Sequence, residues 1–160
     1  MMKNIIKKIA VMVMVVCVFM GASITATATS NTTTTTVNAK MLAKINDLRV
    51  SRNLPSLSVD NELVSYAQTR ADEITTKFSH IRPDGTEGLD IIPLTRDYAG
   101  ENLSWHTADC GTDIVVDETF TALVNSPTHL DNMITPEYTK IGIASVEVNG
   151  KIYTAYMFSN

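Results

Sequence analysis

Apolar residues recur at helical spacing in three stretches of the chain and crowd into strand-like runs in three others. Between positions 37 and 52, Met41, Leu42, Ile45 and Leu48 fall on one helical face, with Asn38 as N-cap and Pro55 beyond the end. A second helix is predicted from its cap at Asp60 to about Lys77, with Glu62 in the first turn favouring the helix dipole. Its inner stripe is Leu63, Ala67, Ala71 and Ile74, while Arg70, Asp72 and Glu73 are placed outside it. A third helix, capped by Thr112, runs from Asp113 to about Asn125 with Val116, Phe120, Leu123 and Val124 on its apolar face. Ser126-Pro127 ends it, because proline fixes φ and the preceding residue avoids the helical region. A short helical piece, Thr128 to Met133, follows.

Leu54 to Val59 reads as an extended connector, and Arg82 to Thr86 as a turn built on Pro83 and Gly85. Tyr98 to Leu103 reads as a short strand continued by Trp105, His106 and Thr107. Tyr138 to Val148 and Lys151 to Ser159 are two further strands. Asn149-Gly150 joins them, two residues that tolerate positive φ and so favour a tight hairpin. Helices packed on an antiparallel sheet make an α+β domain.

The first 37 residues carry a different pattern. Lys3, Lys7 and Lys8 precede a short apolar run, Ile9 to Met20, and Ala26-Thr27-Ala28 offers the small residues of a cleavage site. Residues 1–28 therefore read as a secretory signal peptide, the run being shorter than the ~20 residues that span a bilayer. Residues 29–37 are threonine-rich, lack an apolar period and read as a flexible leader. The globular domain is then 38–160. Removing the three signal lysines from 13 basic residues leaves 10 against 17 acidic, a net charge of −7. That balance argues against nucleic acid and against polybasic attachment to anionic lipid. Cys110 is the one cysteine left after cleavage, so no internal disulfide can form, and it reads either as an incidental thiol or as a nucleophile.

His80, His106 and His129 are too far apart for a local zinc motif, and no His-Glu-x-x-His, Cys-x-x-Cys or Gly-x-Ser-x-Gly occurs. Spacing alone leaves His80 and His129 with two readings, metal ligands or histidines hydrogen-bonded at loop–helix junctions. His106, after Trp105 in a strand, reads as a surface residue. In Gly100-Glu101-Asn102 the glycine lets the backbone turn sharply and aim the acid inward, and the amide fixes the turn.

Several stretches, in order, resemble one family. They are Ile45-Asn46-Asp47-Leu48-Arg49 with Asn53-Leu54-Pro55-Ser56-Leu57, then Phe78-Ser79-His80-Ile81-Arg82-Pro83-Asp84-Gly85-Thr86, then Gly100-Glu101-Asn102-Leu103. Leu123-Val124-Asn125-Ser126-Pro127-Thr128-His129, Tyr138-Thr139-Lys140-Ile141-Gly142-Ile143 and the closing hairpin complete the set. The mature chain resembles the CAP superfamily (cysteine-rich secretory protein, antigen 5, pathogenesis-related class 1; the SCP domain), in its compact, disulfide-free bacterial branch. The resemblance implies a three-layer α-β-α sandwich with a central antiparallel sheet and a C-terminal β-hairpin. It also implies a cleft of two histidines and two acids that can take a divalent metal, often zinc. By motif, His80 and His129 are the metal ligands and Glu101 orients an imidazole or a water, with Asn102 beside it. The family's second acid has no match by position. Aligned back from His129, the place falls at Ser126 or a neighbour, and Glu118 lies about two turns upstream.

Two functions follow as expectations. One is a secreted, non-catalytic binding module, extracellular or at the cell envelope, with a His-Glu-His cleft and a lipid, peptide or cell-wall component as ligand. It would have no nucleic-acid partner and no transmembrane anchor once the signal is cleaved. The alternative is a zinc-assisted peptidase or esterase in which Glu101 serves as base.

Overall fold

The computed structural model describes residues 31–93 and 95–160. The expected signal peptide lies outside the described residues. The first helix, α1, is described over residues 31–51, and its buried positions are Thr34, Val37, Met41, Ile45 and Arg49. The stretch expected to be a flexible leader is thus helical from residue 31. The stripe of α1 extends back through Val37 to Thr34 at the same three- and four-residue spacing, and Asn38 lies inside the helix instead of capping it. Its amide oxygen accepts from Ser145 Oγ at 2.6 Å. At the other end Asn53 adopts φ 60°, and the amides of Asn53 and Leu54 reach back to the carbonyls of Val50 and Arg49. That is a Schellman ending, sealed by Pro55.

The elements that follow are β1 (Ser58–Val59), α2 (Asn61–Glu73), a 3-10 turn (Gly88–Ile91), β2 (Ala99–Thr107), α3 (Thr112–Val124), α4 (Pro127–Ile134), β3 (Lys140–Val148) and β4 (Lys151–Ser159). The sheet order is β1-β3-β4-β2. β3 and β4 are joined by the Asn149-Gly150 turn with φ 52° and 71°, and β2 runs antiparallel along the other side of β4, from Ala99↔Ser159 to Thr107↔Lys151. The stretch read as a connector contributes β1, a two-residue edge parallel to β3. Asp60 caps α2 as expected, its carboxylate accepting from the amides of Glu62 and Leu63. Thr112 does not cap α3. Gly111 takes that place with φ 87°, and no side chain caps the helix there.

Strand alternation divides the interior in two. Ile141, Ile143, Ile152, Tyr156 and Phe158 pack on one face with Met41 and Ile45 of α1, Val116 and Leu123 of α3 and Met133 of α4. Leu103, Ala144, Ala155 and Met157 pack on the other face with Leu63, Ala67, Ala71 and Ile74 of α2 and with Ile92. Helices therefore cover both sides of the sheet, an α-β-α arrangement. The α2 side is lined with small residues, and the helix backbone lies very close to the sheet. A Cβ at Gly142 would stand 2.1 Å from the Leu63 carbonyl carbon.

Two substitutions test this packing. Gly142→Ala pushes α2 off the sheet and is expected to lose about 3 kcal/mol in urea unfolding, since a backbone cannot yield as a flexible side chain can. Asn149→Pro, which cannot reach the positive φ of the hairpin, is expected to lose about 2 kcal/mol in the same measurement.

Candidate functional site

Two neighbouring residues of the edge strand β2 organise the site. Successive strand residues face opposite layers, so Glu101 points towards α2 and Asn102 towards α4. Each reaches a different histidine.

On the α2 side the Glu101 side chain is only 2% exposed. Arg70 lies behind it, with Nε donating to Oε2 at 2.6 Å and Nη2 to Oε1 at 3.3 Å. In front, His80 Nδ1 lies 2.7 Å from Oε1. A carboxylate only accepts, so Nδ1 carries the hydrogen and Nε2 of neutral His80 keeps its lone pair. Arg70 also donates to Glu73 Oε2 at 2.5 Å and to the Ser79 carbonyl at 2.8 Å, and Arg82 pairs with Glu73 at 2.9 Å. Charges alternate along the row Glu101, Arg70, Glu73 and Arg82, and His80 adjoins its Glu101 end. Arg70 was placed outside the α2 stripe, and the structure buries it completely. Its spacing held the signal: Leu63, Ala67, Arg70 and Ile74 continue one stripe, and a guanidinium on a core stripe calls for buried acceptors, which here include the Glu101 carboxylate.

On the α4 side Asn102 is fully buried, and its amide donates to the His129 carbonyl at 2.9 Å. Asn132, one turn beyond His129, donates to Asn102 Oδ1 at 2.9 Å and to the Glu101 carbonyl at 3.1 Å. These three bonds fasten α4 to β2. Asn132 had been passed over in the sequence, although it shares a helical face with His129. The α4 helix starts at Pro127 with Ser126 as its N-cap residue, yet the Ser126 hydroxyl gives no capping bond. It lies instead 2.7 Å from His129 Nδ1. Both imidazoles thus engage the protein through Nδ1, and among the described residues neither Nε2 has a hydrogen-bond partner.

Gly100 corrects an expectation. It lies in the extended strand and not in a sharp turn, and a Cβ there would come within 2.5 Å of Tyr138 Oη and 2.8 Å of Asn132 Oδ1. The position needs space, not positive φ. Glu118 is also corrected. It pairs with His106 Nε2 at 2.9 Å, away from the His80 and His129 contacts, because α3 sets it against the far end of β2. Among the described residues no group of three or more His, Cys, Asp or Glu side chains is gathered to hold a metal. Both Glu101 oxygens are engaged, so a metal bound here would have the two imidazole Nε2 atoms as its ligands from these residues.

The two histidines differ electrostatically. The Glu101 hydrogen bond raises the His80 pKa above the ordinary value, against a smaller opposing effect of desolvation. Burial lowers that of His129, and the nearby charge of His80 lowers it further.

The model of the CAP family, described as the cysteine-rich secretory protein family, matches residues 42–159. The chain belongs to the CAP family. Among solved structures, an outer surface protein of Borrelia burgdorferi superposes with a TM-score of 0.61 at 22% identity, over 74% of this chain and 88% of that one. An extracellular SCP-domain protein of Bacillus anthracis gives 0.61 at 21% identity over 79% of this chain, which spans only 41% of that protein. NaASP2, solved with Zn2+, gives 0.58 at 15% identity, over 77% of this chain and 78% of that one. These likenesses carry the fold. No curated protein matches the chain. No helix among the described residues is long and apolar enough to cross a membrane.

In an NMR titration of this CAP domain, His80 is expected to titrate above the ordinary histidine value and His129 below it, with Glu101→Gln returning His80 towards the ordinary value. The linked stabilities oppose each other. The contribution of His80 is full below its unfolded pKa and is lost as pH rises through its higher folded pKa. That of His129 is full above its unfolded pKa and is lost as pH falls towards its lower folded pKa. Arg70→Met leaves Glu101 buried without its cation and is expected to destabilise the fold by about 3 kcal/mol in urea.

Proposed function

We propose that this CAP chain is a secreted, non-catalytic binding module, extracellular or at the cell envelope, whose cleft takes a divalent metal, zinc foremost, on His80 and His129. The observation that carries the reading is the pair of imidazoles held through Nδ1, each leaving Nε2 without a protein partner. A metal-ligating histidine commonly gives its other nitrogen to a carboxylate or another fixed oxygen, which orients the ring. Glu101 and Ser126 stand where that role requires. The zinc in the NaASP2 structure agrees with this choice of metal.

Glu101 argues against the hydrolase alternative. A general base needs a carboxylate oxygen within reach of the water it deprotonates. Here Arg70 and His80 occupy both oxygens, and Glu118 is engaged with His106. Catalytic zinc sites also usually take three protein ligands, and this cleft offers two imidazoles. Binding is the better-supported role. The ligand would be a lipid, peptide or cell-wall component, and the exposed Phe78 and Ile81 beside His80 in the chain supply apolar surface for it.

Calorimetric titration of untagged protein with zinc tests the reading. His80→Ala and His129→Ala are each expected to weaken binding at least tenfold, and Glu101→Gln by about tenfold or more through loss of ring orientation. Binding unchanged in both histidine variants, or zinc-dependent peptidase or esterase turnover in the wild type, would overturn it. Both rings must be neutral to ligate. Zinc affinity is therefore expected to fall as pH drops through the raised pKa of His80, before an unperturbed histidine would begin to protonate.

A further inference from the structure

The 3-10 turn Gly88–Ile91 meets the carboxylate that orients His80. Its first residue, Gly88, is buried. A Cβ there would stand 2.6 Å from Glu101 Oε1, 2.7 Å from Oε2 and 2.9 Å from Cδ, well inside van der Waals contact. The Gly88 amide also donates to the His80 carbonyl at 2.6 Å. One residue therefore holds the backbone that carries the ring and borders the acid that the ring meets through Nδ1.

The turn keeps Gly88 in that place. Glu87 and Asp90 form a capping box, in which the Glu87 amide donates to Asp90 Oδ2 at 2.9 Å and the Glu87 side chain accepts from the Asp90 amide. Before the turn, Ile81 and Glu87 form a β-bridge and the Arg82 amide donates to the Thr86 carbonyl at 2.8 Å, so the loop from His80 to Gly88 closes on itself. After it, Ile92 is buried in the core on the α2 side.

Gly88 differs from Gly142 in what a side chain would strike. At Gly142 a Cβ meets the backbone of α2, whereas the three atoms nearest a Cβ at Gly88 all belong to the Glu101 carboxylate. Arg70 is fully buried and holds both oxygens of that carboxylate. The His80 side chain is 57% exposed, so the bond that gives way is the one to His80. Gly88 is not among the glycines at positive φ, and alanine can adopt its backbone. A substitution there acts through space alone.

We propose that Gly88 is the positioning residue of the His80 imidazole: by lacking a side chain it leaves Glu101 where the acid keeps the ring hydrogen on Nδ1 and Nε2 free to ligate. The consequence for metal rests on the reading of His80 and His129 as the ligand pair. Neutral imidazole carries one hydrogen, and the bond made by one nitrogen decides which of them keeps it. Once Glu101 is displaced, the hydrogen is released to Nε2, and that nitrogen no longer offers a lone pair. Gly88 itself touches no ligand and acts through Glu101.

Imidazole 15N spectra of zinc-free protein, at a pH where His80 is neutral, test the proposal together with zinc calorimetry. Gly88→Ala is expected to move the His80 hydrogen from Nδ1 towards Nε2, to leave the His129 signals in place and to weaken zinc binding about tenfold. Asp90→Ala opens the capping box without adding bulk, and it is expected to shift the His80 signals the same way with a severalfold loss of zinc affinity. In the Glu101→Gln background Gly88→Ala is expected to cost little more, because the interaction it works through is already lost. A merely structural role would add its full effect there and would disturb both rings. An unchanged His80 tautomer in Gly88→Ala, or in Asp90→Ala should Gly88→Ala not fold, would overturn the proposal, as would a full additional loss in the Glu101→Gln background. If the wild type takes up no zinc, the metal reading fails and the zinc-free spectra alone decide for or against Gly88.

Discussion

A carboxylate buried between an arginine and a histidine sets the arrangement of the candidate site in this chain. Glu101 could not remain at 2% exposure without Arg70 behind it, because a lone buried ion costs several kcal/mol. Arg70 needs the acid equally, being fully buried on the core stripe of α2. With that pair closed, Oε1 still accepts a second and shorter bond, and His80 Nδ1 supplies it. The orientation of an exposed histidine thus follows from an ion pair beneath it.

The alternation of β2 then links this arrangement to the opposite layer. Adjacent residues of a strand face opposite sides, so whatever fixes Glu101 also fixes Asn102. Asn102 and Asn132 bind α4 to the strand, and Ser126 holds the ring that α4 carries. Arg49 secures the far end of α4. Buried on α1, it donates to the carbonyls of Pro55, Met133, Thr135 and Tyr138 and, among the described residues, meets no carboxylate. Two arginines, one in each helical layer, therefore hold the frame from which the histidines project.

Much of this frame was legible in the amino-acid sequence. The Asn149-Gly150 hairpin, the capped α2 with its apolar stripe and the Ser126-Pro127 start of α4 rest on local chemistry, and local chemistry is what a sequence displays. Arg70 and Arg49 were harder. Their charge argues for the surface while their spacing argues for the core, and only a partner distant in the chain decides between the two. Gly100 was identified as special for the wrong reason, since the crowding by Tyr138 and Asn132 comes from residues more than thirty positions away. The threonine run before Val37 shows no apolar period when read by itself. It becomes the continuation of a stripe once α1 is laid on the sheet.

The central claim is that both imidazoles face a common ligand through Nε2 while Nδ1 is held by the protein. Imidazole 15N spectra recorded before and after one equivalent of zinc test it most directly. The account predicts Nδ1 protonation at His80 before zinc and a joint shift of the Nε2 signals of His80 and His129 on addition, with His106 unmoved. A shift at only one of the two rings, or at His106 instead, would contradict it.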